Sequence, residues 1–288
     1  MNLKTLQITG PYHFDAVLDR LMRDPLHGVN LQERTVKVPL NNKKTPHVAT
    51  VRAVGTTENP IFDITGTNDL GIQRLSEIFQ WDTDLEEIYL HFQKTTLKRI
   101  FQEHYGTALV LDFSPYQCLL KCIIHQQLNT AFAHSLTERF VKTYGFEVEG
   151  VWFYPSPEIV ANLTVDELRK LQFSGRKAEY LIGIAEKVSK RELDFDQMKH
   201  QSNQEIHDEL IKLRGIGPWT VQNFLMFGLG RKNLFPIADI GIQNALKKHF
   251  DLKDKPSVSD MEEYKKDWEP YLSYASLYLW RSIEKGEK

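Results

Sequence analysis

The stretch Leu213-Arg214-Gly215-Ile216-Gly217-Pro218-Trp219-Thr220 decides how this chain of 288 residues is read. Ahead of it Ile206, Leu210 and Leu213 recur at helical spacing, and beyond it Val221, Phe224 and Leu225 do the same. Two helices therefore flank a glycine-rich turn, which is a helix-hairpin-helix. Gly215 and Gly217 permit positive φ and close approach of a ligand to the backbone, while Pro218 stands where a second helix begins, at a position that needs no N–H. The free amides of that helix start, with its partial positive charge, make a phosphate site suited to one strand of a nucleic-acid backbone. Taken alone, the same Gly-x-Gly is more often just a tight connection between helices. Its surroundings have to decide.

Downstream lies Phe235-Pro236-Ile237-Ala238-Asp239, followed by the apolar pattern Ile242, Ala245, Leu246. Asp239 is positioned as a helix N-cap, a sufficient structural role on its own. The two readings are compatible, because the helix dipole favours the anion and an anion stabilises a developing oxocarbenium ion. Upstream, Ile123-Ile124-His125-Gln126-Gln127-Leu128-Asn129-Thr130 ends a very apolar helix in a cluster of amides. Side chains emerging there can fill space in a base stack, or can simply be surface residues. Aromatic faces near a carboxylate can sandwich a base, the more so a cationic one. Of Trp219, Trp268, Tyr271 and Tyr274, the expectation is core for Trp268 and Tyr274. Tyr271, beside Pro270 at a helix start, is the better pocket candidate.

Composition is that of an ordinary globular protein, with 41% hydrophobic and 26% charged residues. The formal net charge of -2 argues against a partner held by many lysines, so any grip on phosphate has to be local, through amides and a few cations. Cys118 and Cys122 are the only cysteines; four apart in a helical pattern, they read as small buried residues. No apolar run reaches bilayer length and the first residues lack a signal-peptide core, so a cytoplasmic protein without membrane contact is expected.

Roughly the first 80 residues differ from the rest. Phe14, Val17, Leu18 and Leu21 mark an amphipathic helix; Val36, Val38 and Leu40 alternate as a strand, with further strands at 48–54 and 61–64 and turn formers at 41–44 and 55–60. From about Leu70 strands disappear and helical periodicity takes over, including single helices over 218–228 and 261–283. The fold class expected is α+β: an N-terminal antiparallel sheet with a helix, then two all-α domains containing the helix-hairpin-helix. The boundaries drawn are 1–80 for the sheet unit, 81–112 with 231–288 for a helical domain carrying Asp239 and the aromatic helix, and 113–230 for a helical domain ending in the hairpin.

These pieces together resemble the helix-hairpin-helix DNA glycosylase superfamily, and within it the AlkA-type 3-methyladenine DNA glycosylases. The resemblance covers most of the chain: the Ile-Ile-x-Gln-Gln helix end within 116–144, the Pro-x-Pro helix and Ser174-Gly175-Arg176-Lys177-Ala178 within 155–189, the hairpin and Asp239 within 211–249, and the aromatic helix of 268–280. It implies a catalytic role for Asp239, backbone binding of DNA by Gly215, Ile216, Gly217 and Thr220, and base-pocket roles for Trp219 and Tyr271. Gln127, with Leu128 as neighbouring alternative, matches the side chain that wedges into the gap left by a flipped nucleotide. No cofactor is implied, but a monovalent Na or K ion on the carbonyls of Ile211, Leu213 and Gly215 is. Members that also cut the strand carry a Schiff-base lysine just inside the second hairpin helix, where this chain has Trp219, so the resemblance implies a monofunctional enzyme. Its partner would be double-stranded DNA containing alkylated bases, met by a monomer. Pro218 and Asn223 depart from the family pattern, where relatives have a polar residue and a pocket aromatic. Two alternatives stay open: a glycosylase for oxidised or deaminated bases, told apart by pocket polarity, and a non-catalytic DNA-binding scaffold, which would have no use for Asp239.

Overall fold

The computed structural model describes residues 3–42 and 45–284. Five strands form one antiparallel sheet: β1 (Lys4–Gln7), β2 (Gly28–Asn30), β3 (Thr35–Asn42), β4 (Thr45–Ala53) and β5 (Ile61–Thr65), in the order β1-β5-β4-β3-β2. Alternation sets the faces: Val36, Val38 and Leu40 of β3 are buried, as are Val51 and Ala53 of β4 and Phe62 and Ile64 of β5. Against this face lies α1 (Phe14–Leu21), whose Phe14, Val17, Leu18 and Leu21 are buried as their spacing required, while its last turn aims Arg20 away from the sheet toward the helices. The β3–β4 pairing continues to Asn42 opposite Thr45; the remaining part of the expected turn, Lys43 and Lys44, lies outside the described residues.

The helices follow: α2 (Asp69–Phe79), α3 (Leu85–Phe92), α4 (Lys98–Glu103), α5 (Pro115–His125) and α6 (Thr130–Tyr144); then α7 (Pro157–Ala161), α8 (Val165–Lys170), α9 (Gly175–Ser189), α10 (Phe195–Met198), α11 (Asn203–Leu210) and α12 (Pro218–Asn223); last α13 (Ile240–His249), α14 (Val258–Tyr264) and α15 (Leu272–Ile283). Most start on a side-chain cap, Ser114, Asn129, Ser174 and Asp239 among them. Three sequence expectations are corrected. Strands do not end at Leu70: β6 (Phe146–Val148) and β7 (Val151–Phe153) form a hairpin around Glu149 and Gly150, both at positive φ. The helix expected over 218–228 is α-helical only to Asn223 and continues as a π-helical turn, Phe224–Gly228. The helix expected over 261–283 is broken into α14, a 3-10 turn at Lys265–Trp268, and α15.

Two large hydrophobic clusters hold the described residues together. One runs from the sheet and α1 through α2–α4 into α13–α15, with Phe62, Phe79, Phe101, Trp268 and Tyr274 fully buried in it. The other fills α5–α12 with Leu119, Ile123, Phe140, Leu181 and Phe224. The chain enters the second near Phe113 and returns to the first near Met226, so the seam between clusters is bounded by α1, α5, α12 and α15.

Candidate active site

Asp239 caps α13. In extended backbone (φ -73°, ψ 123°) its Oδ1 accepts the Ile242 N–H at 2.9 Å. The same oxygen accepts the indole Nε1–H of Trp280, on α15, at 2.8 Å. Both bonds fall on one oxygen, and Oδ2 has no hydrogen-bond partner among the described residues. Gly241 makes this approach possible: a Cβ there would stand 3.0 Å from both Oδ1 of Asp239 and Cδ1 of Trp280.

The half-buried carboxylate lines a cavity of about 360 Å³ together with Trp280, Arg20, His125, Asn223 and Phe227. That volume falls within the range of small-molecule sites. Asn223 and Phe227 enter it where the second hairpin helix changes from α to π, a widening that recurs at functional sites. On another wall Lys121 is held between Asp24 and Asp112, 3.1 Å from each. Burial alone would raise both carboxyls, but the ammonium between them holds them below their usual range. Conversely, burial alone would lower Lys121, and the two carboxylates push it above its usual range instead. His125 is lowered to about 3, first by burial and then by the Lys121 charge, so its imidazole is neutral at physiological pH. A larger cleft, between β3, α5 and α10, contains none of these groups.

The hairpin stands beside this cavity. Gly215 is left-handed (φ 90°), and a Cβ on it would lie 2.2 Å from atoms of the Tyr180 ring. Only glycine fits there. Gly217 corrects the sequence reading: it is extended, with φ -111°, and nothing lies within 4 Å of where its Cβ would be. It caps α12 without a side chain and leaves the first-turn amides uncovered. Gln126 links this hairpin to the end of α5, its Nε2 donating to the Gly215 carbonyl and to the Thr220 hydroxyl, each at 2.8 Å. Lys177 closes the joint by donating to the carbonyls of Ile124 at 2.6 Å and Gln126 at 2.7 Å. Gln127 follows at positive φ (55°) and is exposed, whereas Leu128 is half-buried against the second core.

Several site expectations change in this light. Ile216 and Thr220 are both buried, the Thr220 hydroxyl oxygen accepting from Gln126, so both can meet phosphate through backbone only. Trp219 is on the surface, 37% exposed, and does not line the Asp239 cavity; Asn223, one turn on, does, and donates to the Trp219 carbonyl. Tyr271 is also outside the cavity. It starts α15 rather than facing Asp239, packs on His91 and donates to Glu87 at 2.7 Å. The aromatic that α15 does bring to Asp239 is Trp280, nine residues further along. The carbonyls of Leu213 and Gly215 accept from the Ile216 N–H and from Gln126, which leaves each a second lone pair; with Ile211 they fit the neutral oxygen ligation a monovalent cation takes. Trp268 and Tyr274 are fully buried, as expected of core residues.

A family model for the HhH-GPD superfamily base excision DNA repair protein matches residues 120–270, which span the α5 end, the hairpin and Asp239. The chain belongs to this superfamily. Among HhH-GPD relatives, a Bacillus subtilis protein named "Putative DNA-3-methyladenine glycosylase YfjP" is 53% identical over 282 residues, covering 97% of this chain and 98% of its own. The solved structure of a 3-methyladenine DNA-glycosylase from Archaeoglobus fulgidus superposes with a TM-score of 0.85 at 20% identity, over 98% of this chain and 99% of that one. The Schizosaccharomyces pombe 3-methyladenine DNA glycosylase Mag1, solved with abasic DNA, superposes with a TM-score of 0.61 at 25% identity, over 70% of this chain and 98% of that one. As in the sequence reading, the fold is an N-terminal antiparallel sheet followed by helices. No helix among the described residues is long and apolar enough to cross a membrane.

Proposed function

We propose that this HhH-GPD protein is a monofunctional DNA glycosylase that hydrolyses the N-glycosidic bond of alkylated purines such as 3-methyladenine in duplex DNA and leaves an abasic site. The observation that carries the reading is Asp239, presented with one oxygen fixed by two N–H donors and the other unspent, in a base-sized cavity beside the hairpin. Fixed charge of this kind stabilises a sugar cation without reorganising, an effect worth on the order of 100- to 1,000-fold in rate. Oδ2 faces the reacting sugar and orients water; Oδ1 holds the carboxylate still. The hairpin amides following Gly217 take one phosphate, and Ile211, Leu213 and Gly215 would hold a cation that adds positive charge there. Gln127 enters the stack as the base leaves it, at a cost of a few kcal/mol that is smaller for a poorly pairing lesion. A monomer suffices for these contacts.

The monofunctional assignment rests on amines. Trp219 occupies the position of the Schiff-base lysine, and Lys121, the lysine that does line the cavity, is held as an ammonium by Asp24 and Asp112. A protonated amine is no nucleophile. Incubation of the protein and of Asp239→Asn with methylated duplex DNA tests the reading: the parent releases methylpurines and produces alkali-labile sites, the variant does so at least 100-fold more slowly. Equal release by both would refute catalysis by Asp239, and a borohydride-trapped DNA adduct would refute the absence of lyase chemistry.

A further inference from the structure

Lys177 is a cation set against the dipole of its own helix. It is the third residue of α9, whose cap Ser174 accepts its backbone N–H at 3.3 Å, and an ammonium in the first turn opposes the positive end of that helix. Burial disfavours its charge as well, for the side chain is half-buried and its pKa is lowered. What the ammonium meets instead is the opposite end of another helix. It donates to the carbonyl of Ile124, in the last turn of α5, at 2.6 Å and to that of Gln126, the C-cap, at 2.7 Å. Carbonyls at a helix C-terminus have no partner within the helix and favour a cation.

Beyond this clamp the chain changes direction. Gln126 is extended (ψ 128°), and Gln127 turns left-handed (φ 55°), a conformation that costs any residue with a Cβ, and stands exposed. The side chain of Gln126 meanwhile ties this corner to the hairpin, donating to the Gly215 carbonyl and the Thr220 hydroxyl. One turn along α9 from Lys177, Tyr180 lies so close to Gly215 that a Cβ there would stand 2.2 Å from its ring. A single helix therefore meets the hairpin through Tyr180 and the α5 end through Lys177. We infer that Lys177 is a positioning residue for base extrusion: its two bonds hold Gln127 in the left-handed, exposed pose in register with the hairpin, so that the wedge is formed before DNA arrives. The inference rests on the glycosylase reading above, in which Gln127 fills the gap left by the extruded nucleotide, and assigns the group that sets it there. Lys177 does not line the Asp239 cavity, so it acts on extrusion and leaves bond breaking to Asp239.

The test compares the parent protein, Lys177→Met, Lys177→Gln and Lys177→Arg on two duplexes under single turnover, one with 7-methylguanine paired to cytosine and one with the same lesion opposite a tetrahydrofuran spacer, where extrusion breaks no pair. Lys177→Met loses about tenfold on the paired duplex, the factor that one unreplaced hydrogen bond from a charged donor is worth, and stays within about threefold on the spacer duplex, whose release doubles as the control for folding. Lys177→Arg restores the paired rate to within about threefold of the parent. Lys177→Gln, which keeps one donor, falls between and carries the comparison if Lys177→Met does not fold. In a Gln127→Ala background Lys177→Met costs less than about twofold more, because the residue it positions is gone. Equal losses on both duplexes, no loss on either, or an undiminished loss without Gln127 would each overturn the role of Lys177. A parent that releases 7-methylguanine from neither duplex, or an Asp239→Asn variant as active as the parent, would instead overturn the glycosylase reading and this inference with it.

Discussion

The two hairpin glycines make opposite predictions from neighbouring positions. At Gly215 the backbone is left-handed and a methyl group would stand 2.2 Å from the Tyr180 ring. The left-handed conformation alone costs an alanine roughly 1–2 kcal/mol, and a contact that short cannot form, so helix α9 or the hairpin has to move. Gly215→Ala is therefore expected to lose about 4 kcal/mol or more, in the range kept for overpacking combined with backbone strain. Gly217→Ala places its methyl in open space at an ordinary φ, so its stability should stay within about 1 kcal/mol of the parent. That open space is also where a phosphate has to approach the amides of Trp219 and Thr220. DNA affinity of Gly217→Ala should accordingly fall at least tenfold. Urea unfolding measures the first quantity, and fluorescence titration of an abasic duplex at fixed salt measures the second. Combining Gly215→Ala with Tyr180→Ala separates the terms: the clash goes, the backbone strain stays, and the lost packing of Tyr180 is read from the single variant. If Gly217→Ala binds DNA as the parent does, the hairpin amides are not the phosphate site.

Trp280→Phe removes one of the two N–H donors on Asp239 Oδ1, a charge-assisted bond worth roughly 1.5–3 kcal/mol; it should slow base release about 10- to 100-fold with the fold retained, and Tyr271→Phe, outside the cavity, should leave the rate unchanged, both by single-turnover release of 7-methylguanine. Gln126→Ala withdraws the amide shared by Gly215 and Thr220 and should cost about 1–3 kcal/mol in urea unfolding, with a larger loss of DNA affinity than a mere surface change would give. His125 adds a pH dependence of known sign: its folded value, about 3, lies below its ordinary one near 6.5, so its contribution to stability is complete above pH 6.5 and is lost as pH falls toward 3. The melting temperature should therefore decline across that window, at no more than about 1.4 kcal/mol per pH unit for this group, and His125→Gln should flatten the decline.

What the sequence revealed and what it concealed divide along one physical line. Asp239 was legible because capping and helical periodicity are local signals, and the hairpin because Gly215 and Pro218 mark a turn and a helix start within four residues. The pocket was not, because its walls come from α1, α5 and α15, brought together only by packing between the two clusters. Tyr271 was the natural choice on position beside Pro270, yet the helix it starts brings Trp280 to the carboxylate instead. One signal for that contact was present: Gly241, a glycine in the first turn of a helix, where only a close neighbour justifies its cost. Gln126 was left open between base stack and plain surface, and its structural role stayed hidden because its partners lie about ninety residues away. The β6–β7 hairpin escaped notice since each strand has three residues, too few to show alternation.

The path of the chain through its two clusters sets an order for biosynthesis. The sheet, α1 and α2–α4 emerge first, but α13–α15, which complete their core, come after all of α5–α12. At typical elongation rates the early half of that core waits on the order of ten to thirty seconds for its lid. The second cluster, drawn almost wholly from one continuous stretch, can close in the meantime. The newborn protein thus holds its hairpin before it holds Asp239 against Trp280, and the carboxylate of the candidate site is set in place late.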